Sequence, residues 1–167
     1  MGSVSNKKIF LILHNIRSLY NVGAIFRTAE GLGVKKIYLT GYTPEPYDIF
    51  GKLRKDFAKT ALGAEKYVEW KKQKNIFNLI KRLKKEKIQI IALEQSKKSL
   101  NLKKFSLGSR TSKSSIALIL GNEVRGISKS VLKKSDVVVE IPMRGKKESL
   151  NVSVAAGIAL WEFSKNH

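Results

Sequence analysis

The chain has no cysteine and only two histidines, His14 and His167. Without cysteine there is no disulfide and no thiolate metal site, and two histidines are too few for a histidine-rich cluster, so no metal is expected. Acidic residues are scarce, 13 against 33 Lys and Arg, which leaves a two-carboxylate hydrolase little to draw on. No apolar run approaches the roughly 18 residues that a membrane span needs. Met1 to Lys8 lacks the apolar core of a signal peptide. There is no Gly-x-Gly-x-x-Gly after a strand and no Gly-Lys-Ser/Thr phosphate loop. A Ser-His-Asp triad is disfavoured, because His14 falls at a strand end and His167 is the last residue. What these absences leave is a soluble cytoplasmic protein.

Basic charge is abundant. The 167 residues carry a net +20, and such a chain attracts polyanions, nucleic acid being the commonest. Most of the basic residues are lysine, which also serves solubility. The length fits one domain, residues 1–167, with a substantial core and no separate N-terminal RNA-binding domain.

Short apolar runs alternate with helical patterns. Ile9–Leu13, Lys36–Thr40, Ile88–Leu93, Ile116–Leu120 and Val137–Ile141 read as strands, and Tyr67–Trp70 as a short one. Val22–Gly31, Gly51–Leu62 and Val152–Phe163 read as helices, and Ser128 caps a shorter helix running to Lys134. The clearest helix has Ile76, Leu79, Ile80 and Leu83 at i, i+3, i+4 and i+7. Its lysines form a solvated face rather than the main RNA contact. Ser96–Ser114 reads as polar loop. The pattern predicts an α/β fold, a mostly parallel sheet with helices on both faces.

Three polar blocks follow strands, where ligands bind in parallel α/β proteins. The first is Asn21-x-Gly23-x-x-x-Arg27-x-Ala29, with Asn21 a candidate helix cap and Gly23 a point of close approach. The second, Gly121-x-Glu123-x-x-Gly126, has two glycines for a tight turn and the block's one carboxylate. The third joins the Val137 strand to the last helix and packs Arg144, Lys146, Lys147, Glu148, Ser149, Asn151 and Ser153 into ten positions. Each block taken singly also has a plain structural reading: a cap with a surface arginine, an ordinary turn, and Asn151 capping the last helix.

Taken together, in this order and spacing, the three blocks with Ile141-Pro142-Met143 and Ser149-Leu150-Asn151-Val152-Ser153 resemble the SpoU/TrmH family, RNA ribose 2'-O-methyltransferases of the SPOUT superfamily. The resemblance runs from about Ile9 to Phe163. It implies a SPOUT fold with a deep C-terminal trefoil knot, which nothing in the periodicity reveals, and a site for S-adenosylmethionine. By position, the cofactor would meet Leu93, Gly121, Ile141, Met143 and Leu150, and a bulky residue at Gly121 would block it. Arg27 would serve the methyl transfer, with Asn21, Glu123, Ser149 and Asn151 completing the site. Arginine stays protonated in proteins, so Arg27 suits stabilisation of a developing alkoxide better than removal of a proton. Arg17, Arg125, Arg144, Lys146 and Lys147 are candidate phosphate contacts in tRNA or rRNA. The resemblance also implies a homodimer whose site draws on both subunits; Val152, Ala155, Ala156, Ala159 and Leu160 offer a small apolar helix face for such packing, a pattern that core packing alone would equally require. The alternatives are a non-catalytic RNA-binding protein on the same fold and a methyltransferase acting on a base.

Overall fold

The computed structural model describes residues 7–108 and 115–165, with the side chains of 106–108 excepted. In chain order the elements are β1 (Ile9–His14), α1 (Leu19–Gly31), β2 (Lys36–Thr40), α2 (Lys55–Ala61), a 3-10 turn (Ala64–Lys66), β3 (Glu69–Lys72), α3 (Ile76–Lys85), β4 (Gln89–Leu93), β5 (Leu100–Asn101), α4 (Leu102–Gly108), β6 (Ile116–Leu120), α5 (Lys129–Lys134), β7 (Val137–Glu140) and α6 (Val152–Ser164). The strands form one seven-stranded sheet in the order β3-β2-β1-β6-β4-β7-β5. Every pairing between these strands is parallel.

Side chains alternate across a strand, and here both sides are apolar. Leu11 and Leu13 of β1 and Ile116, Leu118 and Leu120 of β6 enter one core, which α1, α2 and α6 cover with Phe26, Phe57 and Leu160. Ile12, Ala117 and Ile119 enter the opposite core with Ile76, Leu79, Ile80 and Leu83 of α3. The expected helices on both faces are therefore present. Gly23 lets α1 and α2 touch, because a Cβ there would collide with the Phe57 carbonyl and the Thr60 hydroxyl. The close approach expected at Gly23 is made by this neighbouring helix.

Local chemistry moved several boundaries. Helix α1 begins at Leu19, three residues before the expected start, and its cap is Ser18, whose hydroxyl accepts from the Asn21 backbone N–H at 3.3 Å. Asn21 is therefore not the cap. The short third strand is shifted to Glu69–Lys72. Within the expected polar loop, Leu100–Gly108 forms β5 and α4; a two-residue strand is too short to leave a periodic signal. Residues 109–114 of that loop lie outside the described residues. Expected caps are found at Ser128 for α5 and Asn151 for α6.

Candidate active site

A cavity of about 300 Å³ opens at the carboxyl ends of β4, β6 and β7. Three connections form its walls: 93–95 after β4, 120–126 after β6, and 140–155 between β7 and α6. All three polar segments that follow these strands thus meet at one edge of the sheet. Leu93, Gly121, Ile141, Met143 and Leu150 all line it, as do Glu123, Ser149 and Arg125.

The geometry explains why the glycines of the second block are there. A Cβ on Gly121 would press against the Gly126 carbonyl and the Ile127 side chain. Gly126 has a φ of +66°, which favours glycine, and a Cβ on it would land on the Glu94 carboxylate. That carboxylate accepts from the Ile127 N–H at 2.8 Å and the Gln95 N–H at 2.9 Å. Gln95 then donates to the Glu148 carbonyl at 2.5 Å, tying the β4 connection to the β7–α6 connection. A bulky residue at Gly121 would therefore break this turn before it met any ligand, so such a variant does not test cofactor exclusion.

Glu123 is the hub of the polar site. Its carboxylate accepts from the backbone N–H of Arg17 at 3.1 Å and of Ser18 at 3.0 Å, and from the Asn21 amide at 3.3 Å. These donors surround the N-terminus of α1, where the helix dipole favours an anion. Burial pushes the Glu123 carboxyl up, but the hydrogen bonds from Ser18, Arg17, its own backbone and Asn21 outweigh it, and the carboxyl titrates below its ordinary range. Asn21 accepts from the Asn151 amide at 3.3 Å, and Asn151 accepts from the Ser153 N–H at 2.9 Å to cap α6. Asn151 therefore caps its helix and also joins the first and third blocks. A chain of side chains, Glu123–Asn21–Asn151, connects all three.

Other expected residues stand apart. Arg27 is exposed on α1 and lies outside the cavity lining. Arg17, Arg144, Lys146 and Lys147 are exposed, and none forms an ion pair among the described residues. Ala156, Ala159 and Leu160 are wholly buried within the chain's own core, and Val152 and Ala155 line the cavity. The expected close-packing face of α6 is thus already occupied, and its exposed side carries Val154, Ile158 and Trp161 instead.

Sequence reading missed the concentration of acid here. Glu94, Glu123, Glu140 and Glu148 all line the cavity, against Arg125 as the single base. Four acidic residues edge one cavity in a chain with 13 acidic residues; the Glu94 and Glu123 carboxylates are held by the bonds above, and that of Glu140 accepts from the Ser99 hydroxyl at 2.8 Å. The signal was available at Glu94, an acid placed directly after a strand end. Asn122 was missed as well. Its amide donates to the Asn15 carbonyl at 2.9 Å and the Tyr42 hydroxyl at 3.0 Å. That ties the cavity loop to the connections after β1 and β2.

Among the described residues no helix is long and apolar enough to cross a membrane, and no three His, Asp or Glu side chains group to hold a metal.

The comparisons agree with this architecture. Residues 8–161 match the model of the SpoU rRNA Methylase family. A tRNA (guanosine(18)-2'-O)-methyltransferase of Aquifex aeolicus is 33% identical over 156 residues, 93% of this chain and 68% of that protein. The 23S rRNA (guanosine-2'-O-)-methyltransferase RlmB of Neisseria meningitidis is 32% identical, over 97% of this chain and 60% of that protein. Among solved structures, the A. aeolicus TrmH/SpoU tRNA modifying enzyme superposes with a TM-score of 0.80 at 29% identity, covering 96% of this chain and 76% of that one. AviRb of Streptomyces viridochromogenes, in complex with the cofactor AdoMet, has the same fold: its TM-score is 0.82 at 20% identity, covering 98% of this chain and 59% of that one. With most of its length matched by the family model, the chain belongs to the SpoU rRNA methylase family.

Proposed function

We propose that this protein transfers a methyl group from S-adenosylmethionine to a ribose 2'-hydroxyl of tRNA or rRNA. The observation that carries the reading is the acidic cavity edged by the Glu123–Asn21–Asn151 chain. The relatives from Aquifex aeolicus and Neisseria meningitidis are named for 2'-O-methylation of a guanosine in tRNA and in 23S rRNA.

The cavity suits the cofactor. Leu93, Ile141, Met143 and Leu150 offer apolar walls beside the backbone of Gly121, and the four carboxylates favour a ligand carrying a sulfonium and an amine. When bound, S-adenosylmethionine supplies an electrophilic methyl group. The chain supplies the rest. Glu123 and Asn21 hold the β1–α1 connection rigid at the cavity edge, and Ser149 and Asn151 flank the ribose. Arg27 stabilises the negative charge that develops on the 2'-oxygen, and a substrate phosphate accepts its proton. Arg17, Arg125, Arg144, Lys146 and Lys147 hold the RNA backbone.

Because Arg27 lies outside the lining of its own subunit's cavity, it serves the cavity of a partner subunit in a homodimer. Helix α6 supports this assembly. It buries Ala156, Ala159, Leu160 and Phe163 inward, yet exposes Val154, Ile158 and Trp161 at i, i+4 and i+7. A helix apolar all round calls for cover on both sides. The reading includes a C-terminal trefoil knot, which the resemblance to the family implies, and a cytoplasmic location beside the RNA.

The exposed position of Arg27 also favours a second reading, a non-catalytic RNA-binding protein on this fold. One experiment separates the two: incubation with methyl-labelled cofactor and bulk tRNA or rRNA, followed by nucleoside analysis. Label in a 2'-O-methylated nucleoside is expected. Label in a base, or none, overturns the proposal.

A further inference from the structure

Three large apolar side chains stand out as exposed among the described residues, Ile49 at 91%, Val124 at 90% and Phe50 at 88%, and of these Ile49 and Phe50 are neighbours. They crown the connection between β2 and α2. This tip is held firmly. One Asp48 carboxylate oxygen accepts from the Phe50 and Lys52 N–H groups, both at 2.9 Å. The Asp48 N–H donates to the Lys52 carbonyl at 2.9 Å, and Gly51, at a φ of +76°, donates back to the Asp48 carbonyl at 3.0 Å. A bridge between Tyr47 and Leu53 closes the base. Two large apolar side chains are thus presented to water on a preorganised turn, with little further ordering cost on binding.

The base of the tip leans toward the far edge of the sheet, since Tyr47 stacks on Trp70 of β3 with ring centroids 6.3 Å apart, and β3 lies three strands from β6. The connection that leads to it starts closer to the cavity, at the edge where β2 and β6 both end, and the Asn122–Tyr42 hydrogen bond joins the connections after these two strands. Tyr42, itself 55% exposed, belongs to the segment that leads to the tip.

We infer that Ile49 and Phe50 form a stacking platform for an unpaired RNA base away from the target nucleotide. This rests on the proposed RNA methylation. Aromatic side chains that stack on unpaired bases are a common means of gripping single-stranded RNA. The platform is two side chains wide, which suits a base and falls short of the roughly 800 Å² per partner of a stable protein interface. Residues 42–60 carry Glu45, Asp48 and Asp56 against Lys52, Arg54, Lys55 and Lys59, so the segment is nearly neutral. The rest of the +20 chain supplies the ionic attraction, and the tip adds a contact that salt does not screen.

The test measures binding of a fluorescent single-stranded 12-mer of mixed sequence, and of the same strand in a duplex, by wild-type protein, Phe50→Ala and Phe50→Trp. Phe50→Ala should bind the single strand about 5- to 150-fold more weakly, with an unchanged salt slope, an unchanged melting temperature and little change toward the duplex. Phe50→Trp should restore binding, with quenching of the added indole by the RNA. Wild-type affinity in Phe50→Ala overturns the inference, and so does an equal loss toward duplex. Dissociation of a dimer by Phe50→Ala, or Phe50-dependent binding to phosphatidylserine vesicles, overturns it in favour of a protein or lipid contact. Failure of the wild-type protein to bind either RNA refutes the proposed function itself.

Discussion

Replacing Glu123 by glutamine tests the polar hub most directly, because it keeps the shape and removes the charge. Glu123 collects backbone donors from Arg17 and Ser18 and the amide of Asn21 at the start of α1. Glutamine keeps one acceptor oxygen and turns an NH₂ group toward these donors, leaving at least one unmatched. Hydrogen bonds to an ionised group contribute about 1.5–3 kcal/mol, and an anion at a helix N-terminus about 0.3–1 kcal/mol. Glu123 is only partly buried, so water offsets some of this. The expected loss near pH 7 is about 1–3 kcal/mol, or roughly 2–12 °C in melting temperature for a domain of this size.

The pH dependence gives the sharper signature. The Glu123 carboxyl titrates below its ordinary range in the folded protein. A depressed carboxyl pKa contributes stability that is present above the unfolded-state value and lost as pH falls through the folded one. The melting-temperature gap between wild type and Glu123→Gln should therefore be full at pH 7. It should begin to narrow as pH enters the ordinary glutamate range and be smallest below the depressed folded value, where both side chains are neutral. Calorimetry at fixed ionic strength from pH 7 to pH 3 measures it. A gap that stays constant through that range, or is absent at pH 7, would refute the charge-based account of the hub.

Arg27→Ala should lower methyl transfer by about 10²-fold or more, as for loss of one transition-state stabiliser, while calorimetric affinity for S-adenosylmethionine stays within a few-fold; near-normal turnover removes Arg27 from the reaction. Trp161→Asp places a charge on the exposed apolar side of α6 and should turn a dimer into a monomer in analytical ultracentrifugation, with an intact wild-type dimer in the variant counting against that interface. Gly126→Ala should destabilise the fold by about 1–3 kcal/mol, read as a lower denaturant midpoint, because the methyl group would meet the Glu94 carboxylate at a φ of +66°. RNA affinity should fall steeply between 50 and 200 mM salt, as expected when lysines and arginines displace counterions; a flat response would detach the +20 charge from RNA binding.

What could be read from the sequence follows physical range. α3 was legible because its four buried residues repeat with the helical period, and β1, β4 and β6 because both their faces are apolar. The three blocks were legible through residue type and order, and they do converge on one sheet edge. Asn21 was misread because propensity alone assigns an asparagine to a cap. Ser18 is the cap, and the Asn21 amide instead donates to Glu123, about a hundred residues away. Glu94 and Glu140 were hidden for a related reason, since their significance comes from meeting Glu123 and Glu148 across separate connections.

Arg27 marks the other boundary of that range. Its motif is local and easily read, whereas the role proposed for it depends on a second subunit. On a single subunit it stands exposed, outside the cavity lining, and the same subunit leaves Val154, Ile158 and Trp161 uncovered on α6. Both features call for cover from outside, and a second copy would answer both at once. Dimer disruption and loss of Arg27 should then have linked effects. If Arg27 acts on the partner's cavity, mixing inactive Arg27→Ala subunits with subunits inactivated in the cavity wall should restore part of the activity, up to about one intact site in each mixed dimer. If Arg27 acts within its own subunit, mixed dimers remain inactive, and the exposed side of α6 requires a different partner.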